Sequence, residues 1–194
     1  MSHSEEVYYS GPVGLTPGRL GLWALIASEI VLFAGLLGSY LLLKTVRPDW
    51  VTQAAHLNIW AGALNSLILL SSNFFMMKAS TAAEESRNED TKRFLALTIL
   101  LGLAFLGVKA FEYSAEFHHG FFPSTSSFWS FYFLLTGVHG LHIIGGLVAI
   151  SLLLFKALSN TLEPMKGRVF LTGLYWSFVE LVWIFLFPLL YLMK

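Results

Sequence analysis

Five apolar stretches, each long enough to cross a lipid bilayer as a helix, constrain this chain more than any other feature. They cover residues 20–46, 57–79, 93–115, 127–156 and 168–193. A hydrocarbon core about 30 Å thick takes roughly 20 helical residues to cross, and only short loops are left between the stretches. Those loops carry turn and charge signals: Arg47-Pro48-Asp49, the charged run from Glu84 to Arg93, His118-His119-Gly120 leading to Pro123, and residues 160–167 with Pro164. None could hold a separate domain. The expected fold is an all-α membrane protein, a bundle of five transmembrane helices over residues 20–194 behind a polar cytoplasmic tail at residues 1–19.

Composition narrows the chemistry. Of 194 residues, 56% are hydrophobic and 12% charged, with mean hydropathy +0.67, too apolar for a domain that must coat itself with polar side chains. Formal net charge is zero and the basic residues are scattered, so nucleic acid is not an expected partner. The sequence has no cysteine, which removes disulfides, thiolate metal sites, iron–sulfur clusters and thiol nucleophiles together.

The polar tail lacks the basic start and small-residue cleavage site of a signal peptide, and Thr16-Pro17 fits a helix N-cap and first turn. Lys and Arg near the N-terminal ends of the bundle number eight (Arg19, Lys78, Arg87, Lys92, Arg93, Lys156, Lys166, Arg168), against three opposite (Lys44, Arg47, Lys194). The positive-inside rule then puts the N-terminus in the cytoplasm and the C-terminus outside. Lys109 is set apart, because it lies close enough to the outer end of the third stretch for its amine to snorkel to the interface.

An ionisable side chain at mid-bilayer costs about 2.5–3.5 kcal/mol on insertion scales, so each one is a functional candidate. Five stand out: Glu29, Glu112, His139, His142 and Glu180. At about 1.5 Å of rise per residue, Glu29 lies about 14 Å, Glu180 about 18 Å and His142 about 21 Å from the inner ends of their helices. Three helices thus bring titratable groups to a similar level. Glu112, about 28 Å from Arg93 by the same rise, falls near the outer interface, where hydration makes it cheaper.

Glu29 and Glu180 carry two readings: protonated carboxyls that glue helices together, or groups with a proton-related or partner-facing role. Trp176 and Trp183 bracket Glu180 on its own face and would shield it from water. His139 and His142 share a helix face, a geometry that also suits a metal or haem. No third ligand type at sensible spacing accompanies them, so no metal or cofactor site is expected in this chain. Asn58, Asn65 and Asn73 stay within about 80° on one side of a helix, and that side should pack on other helices. Gly35 with Ser39, Gly62 with Ser66, and the group Gly137, Gly140, Gly145 and Gly146 permit close helix approach.

Four motifs in order resemble subunit III of the haem–copper oxidases, the cytochrome c oxidase subunit 3 family. They are Ser28-Glu29-Ile30-Val31-Leu32-Phe33 with Gly35; Lys109-Ala110-Phe111-Glu112-Tyr113; Thr136-Gly137-Val138-His139-Gly140-Leu141-His142 with Gly145 and Gly146; and Tyr175 through Trp183. The resemblance covers residues 20 to the end and implies an accessory subunit of a bacterial plasma-membrane terminal oxidase. Such a subunit binds no haem or copper itself, packs directly against subunit I, assembles with subunit II and a small subunit IV, helps sustain proton uptake and carries bound phospholipid.

Two departures accompany the likeness. Many family members have seven helices, the first two forming a lobe across a lipid-filled cleft, whereas this chain starts at the equivalent of the third. The last motif usually has His and Asp where Ser177 and Glu180 stand here. The carboxyl of Glu29 is therefore expected to lie against the fourth or fifth helix and to bond Ser177, His139 or His142. The contact face toward subunit I is expected on the first two spans, with Gly35 and Gly62.

The same resemblance leaves a quinol oxidase or a nitric oxide reductase as alternative hosts, the ending Phe187-Pro188-Leu189-Leu190-Tyr191 leaning toward the latter. A free-standing small carrier is the more distant alternative: such proteins show internal repeats around a midplane site, and this sequence shows none. An intramembrane serine protease would need Ser28 or Ser177 matched with His139.

Overall fold

The computed structural model describes residues 17–159, 161–162 and 166–193; the expected tail and the Thr16 cap lie outside them. Within the described residues the chain is helical, with α1 Pro17–Val46, α2 Asp49–Ala54, α3 Ile59–Glu84, α4 Asn88–His118, α5 Ser127–Leu158 and α6 Lys166–Phe187, continued by a π-helical turn at Pro188–Leu192. Five of these helices are long and apolar enough to cross a membrane, as expected, with α2 a short link between the first two. Asn58 does not join the packed face expected of it: its side chain caps α3, accepting from the backbone of Trp60 and Ala61.

Helices α3, α4, α5 and α6 close into a ring in which α3 packs on α4 and α6, and α5 on the same two. Helix α1 leans on the α5–α6 side and leaves most of its apolar surface facing outward, Val31 and Leu42 included. Lipid tails are as apolar as leucine, so burial alone gives such helices little reason to associate; packing and interhelical hydrogen bonds hold them instead. Helix α3 supplies four of those bonds. Ser66 accepts from the Trp183 indole at 3.1 Å, Ser72 accepts from that of Trp176 at 3.1 Å, and the Ser177 hydroxyl donates to Asn73 at 2.8 Å. Ser72 also donates to the backbone carbonyl of Thr98 on α4 at 3.2 Å. The two tryptophans that bracket Glu180 are thus struts to α3.

Close approach is real at Gly62 and Gly146 and absent at Gly35. A Cβ at Gly62 would meet the Phe187 ring at 2.8 Å, and one at Gly146 would meet the Trp176 ring at 2.7 Å, whereas Gly35 has nothing within 4 Å. Gly62 is therefore an internal packing position, which corrects the expectation that it faces a partner. Pro188 has no N–H with which to continue the α-helical ladder. The chain widens there into a π-turn, and Leu189, Leu190 and Tyr191 are all buried in succession.

Gly146→Ala should lower the stability of the purified chain by about 1–3 kcal/mol, the usual range for overpacking, because its neighbour Trp176 is held by Ser72. Gly35→Ala should leave the melting temperature unchanged. Thermal unfolding of the two variants in one detergent checks both.

Candidate functional site

The polar groups inside the bundle fall into three separate clusters. The first joins α1 to the ring. His142 and Glu29, both half-buried, meet at 2.8 Å between Nε2 and Oε2, while the other ring nitrogen faces the carbonyl of Val138, also at 2.8 Å. Phe33 stacks edge-on against the imidazole at 5.3 Å, and the Tyr175 hydroxyl donates to the His142 carbonyl at 3.3 Å. This is the bond expected of Glu29, made by the fourth transmembrane helix. At the far end of α1, the Lys44 amine donates to the carbonyl of Met193, and Tyr40 packs on Trp50 of α2.

The second cluster is the α3–α6 seam. Glu180 is buried and faces the Asn73 side chain, which also takes the Ser177 hydroxyl. Glu29 and Glu180 stand at similar depth by residue count, yet their bonding partners are different, so they do not form one pair.

The third cluster gathers the candidate Glu112 with Lys109, Tyr132 and Tyr191, an assembly that the spacing along the chain does not disclose. Lys109 is 7% exposed and Glu112 4%; their side chains pair at 3.0 Å. The ammonium also donates to the hydroxyls of Tyr132 and Tyr191, both at 3.1 Å, which uses all three of its N–H groups. Tyr191 in turn donates to the second Glu112 oxygen at 2.6 Å. The rings of Tyr113, Tyr132, Trp183 and Tyr191 lie 4.9–5.8 Å from the Lys109 nitrogen, placing the cation among π-faces that favour it.

Both expectations for this region are corrected. Lys109 does not snorkel and Glu112 is not relieved by hydration; each desolvated charge is compensated by the other. One signal was available in the sequence: Lys109, Glu112 and Glu116 recur at intervals of three and four, which puts them on one helix face. Glu116 is buried as well.

His139 and His142 also separate. His142 turns to α1, whereas His139, 1% exposed, lies in the ring interior, stacked on Trp183 at 5.3 Å and edge-on to Phe105 at 5.6 Å. Among the described residues no three His, Asp or Glu side chains converge as a metal site. The serines needed by the protease reading are engaged elsewhere: Ser28 donates to the carbonyl of Leu25 and Ser177 to Asn73.

The fold and these clusters define a multi-pass helical membrane protein with an ion pair inside α4, braced by tyrosines of α5 and the π-turn, and a Glu29–His142 bond between α1 and α5. The model of the family described as Cytochrome c oxidase subunit III matches residues 13–194, and the chain belongs to that family. It is similar to quinol oxidase subunit 3 of Bacillus subtilis (32% identical, covering 100% of this chain and 98% of that one). It is also similar to cytochrome c oxidase subunit 3 of Alkalihalophilus pseudofirmus (32%, covering 90% and 85%). A third relative is the probable cytochrome c oxidase subunit 3 of Mycobacterium tuberculosis (32%, covering 87% and 84%). The chain is thus subunit III of a haem–copper oxidase, a multi-pass protein of the bacterial plasma membrane and part of a multi-subunit oxidoreductase.

Two substitutions separate pairing from packing. Lys109→Met strands a buried carboxylate and should cost about 3–5 kcal/mol, the usual penalty for breaking a buried ion pair from one side; Lys109→Met with Glu112→Gln should recover part of that loss. Glu29→Gln keeps a carbonyl for His142 and should melt close to the parent, while Glu29→Leu should lose about 1–3 kcal/mol, the usual cost of an orphaned buried polar group. Thermal unfolding of the purified variants gives both comparisons.

Proposed function

We propose that this chain is an accessory subunit without a redox centre, one that supports proton uptake and the stability of the catalytic subunit in a proton-pumping cytochrome c oxidase. The observation that carries the non-redox reading is the disposition of its two intramembrane histidines. His142 is bonded to Glu29 at 2.8 Å and His139 is stacked against Trp183 inside the ring, so the two face different neighbours, which supports a reading in which haem and copper are carried by partner chains. Subunit I is the direct partner, with subunit II and a small subunit IV in the same complex.

The outward face of α1 favours contact with subunit I. Gly35 and Ser39 lie exposed on it and, with nothing near Gly35 in this chain, offer the close approach that small residues allow between membrane helices. The N-terminal end of α1 faces the cytoplasm on this reading, in keeping with the basic residues at that side. A groove of about 450 Å³ between α1, α5 and α6, lined by Gly21, Leu25, Gly145 and Tyr175 among others, shares Ala149 and Thr172 with a second apolar groove beside Lys156 and Arg168. Apolar walls ending at two cations suit an anionic phospholipid.

Quinol as the electron donor is the second reading, favoured by the Bacillus subtilis quinol oxidase relative, which matches the chain end to end.

A tag on Lys194 tests the assignment. Purification in mild detergent should bring down haem-containing chains that consume oxygen, with a reduced-minus-oxidised haem spectrum. A colourless preparation of this chain alone would count for the free-standing carrier. Reduced cytochrome c and a short-chain quinol offered in turn would identify the donor. Gly35→Leu should reduce the yield of co-purifying haem several-fold; full retention would remove α1 as the contact.

A further inference from the structure

The middle of the ring holds polar atoms that the three clusters do not use. Asn65 on α3 is 0% exposed and His139 on α5 is 1% exposed, and neither the amide nor either ring nitrogen has a hydrogen-bond partner. A buried amide or imidazole without a partner is costly, more so inside a membrane, where lipid offers nothing to bond.

The two residues stand at one level of the bundle. Ser72 of α3 bonds the Thr98 carbonyl of α4, and counting seven residues along each antiparallel helix from that bond brings Asn65 level with Phe105. Phe105 packs against both His139 and Trp183, with ring centroids at 5.6 and 4.9 Å. Trp183 ties the layer together: its indole N–H goes to Ser66, the residue next to Asn65, while its ring stacks on His139. The Lys109 ammonium, 5.7 Å from the Trp183 ring centre, cannot serve His139, because its three donors are already committed to Glu112, Tyr132 and Tyr191.

We propose that this layer is a buried water site, in which at least one water molecule beside Trp183 bridges the Asn65 amide and the His139 imidazole. Water is the ligand whose chemistry fits. It donates and accepts at once, as a neutral imidazole and a carboxamide together require, and buried waters commonly satisfy two to four such groups. An anion or a metal ion would bring charge next to a lysine–glutamate pair that is already neutral. The site would be sealed from lipid by Trp183 and Phe105, and it would leave His139 hydrogen-bonded as a neutral side chain.

Two measurements on the intact oxidase complex decide it. A density map at a resolution that shows ordered water should contain a peak within hydrogen-bonding distance of both Asn65 and His139. A map in which both side chains are well defined without such a peak, or bonded directly to each other, overturns the proposal. The second measurement is a double-mutant cycle with Asn65→Leu and His139→Phe, read as the melting temperature of the complex. One shared water is expelled only once, so the double variant should melt no lower than the worse single variant. Strictly additive losses would overturn the shared site. If these variants do not assemble, the smaller apolar pair Asn65→Ala and His139→Leu, which likewise removes the polar partners of the water, provides the same cycle.

Discussion

The Lys109–Glu112 pair fixes how the C-terminal ends of α4 and α6 meet α5. Two charges removed from water lose several kcal/mol each, and their attraction repays this only when the geometry is good and the remaining donors and acceptors are filled. Tyr132 of α5 and Tyr191 of the π-turn fill them. Tyr191 must therefore stand at one depth and one rotation. The π-turn at Pro188–Leu192 is the element that holds it there. Gly62, where the Tyr191 ring also packs, leaves the space for that turn.

The two remaining clusters follow the same rule with less at stake. The α3–α6 seam joins serine, asparagine and tryptophan side chains beside Glu180, its neutral hydrogen bonds each worth about 0.6 kcal/mol on average in membrane bundles, and gains its strength from repetition along the helix. The Glu29–His142 bond is single. Helix α1 otherwise meets the ring through apolar packing, including Phe33 on His142 and Tyr40 on Phe131, and reaches Met193 through Lys44 at its end, so of the five spans it is the one most readily adjusted by a neighbouring chain. A subunit that works inside a larger complex benefits from having one such helix beside four that lock together.

Much of this was legible in the sequence, and what was missed has one cause. Hydropathy and length give the five spans because the bilayer imposes a minimum apolar run. The Glu29 bond could be anticipated because a lone carboxyl at that depth must find a partner, and few polar side chains were available at its level. Depth alone does not place Lys109, because near a helix end a lysine that reaches water and one that turns inward look alike in sequence. The direction is decided by Tyr132 and Tyr191, which lie far away in sequence and reach Lys109 only once α5 and the π-turn are in place. Gly62 shows the same limit, since its pairing with Ser66 looks like an outward packing motif until Phe187 is seen filling it.

The separation of His139 from His142 bears on how far side-chain periodicity can be pressed. Residues three apart on a helix differ by about 60° around its axis, which is close enough to call one face and wide enough to straddle a boundary between neighbours. Helix α5 sits at such a boundary, with α1 on one side and the ring interior on the other. His142 therefore meets a carboxylate and His139 meets two aromatic rings, and the same residue type takes on different chemistry one turn apart. Spacing along one helix therefore places two histidines on a face, and the neighbouring helices decide what each of them meets.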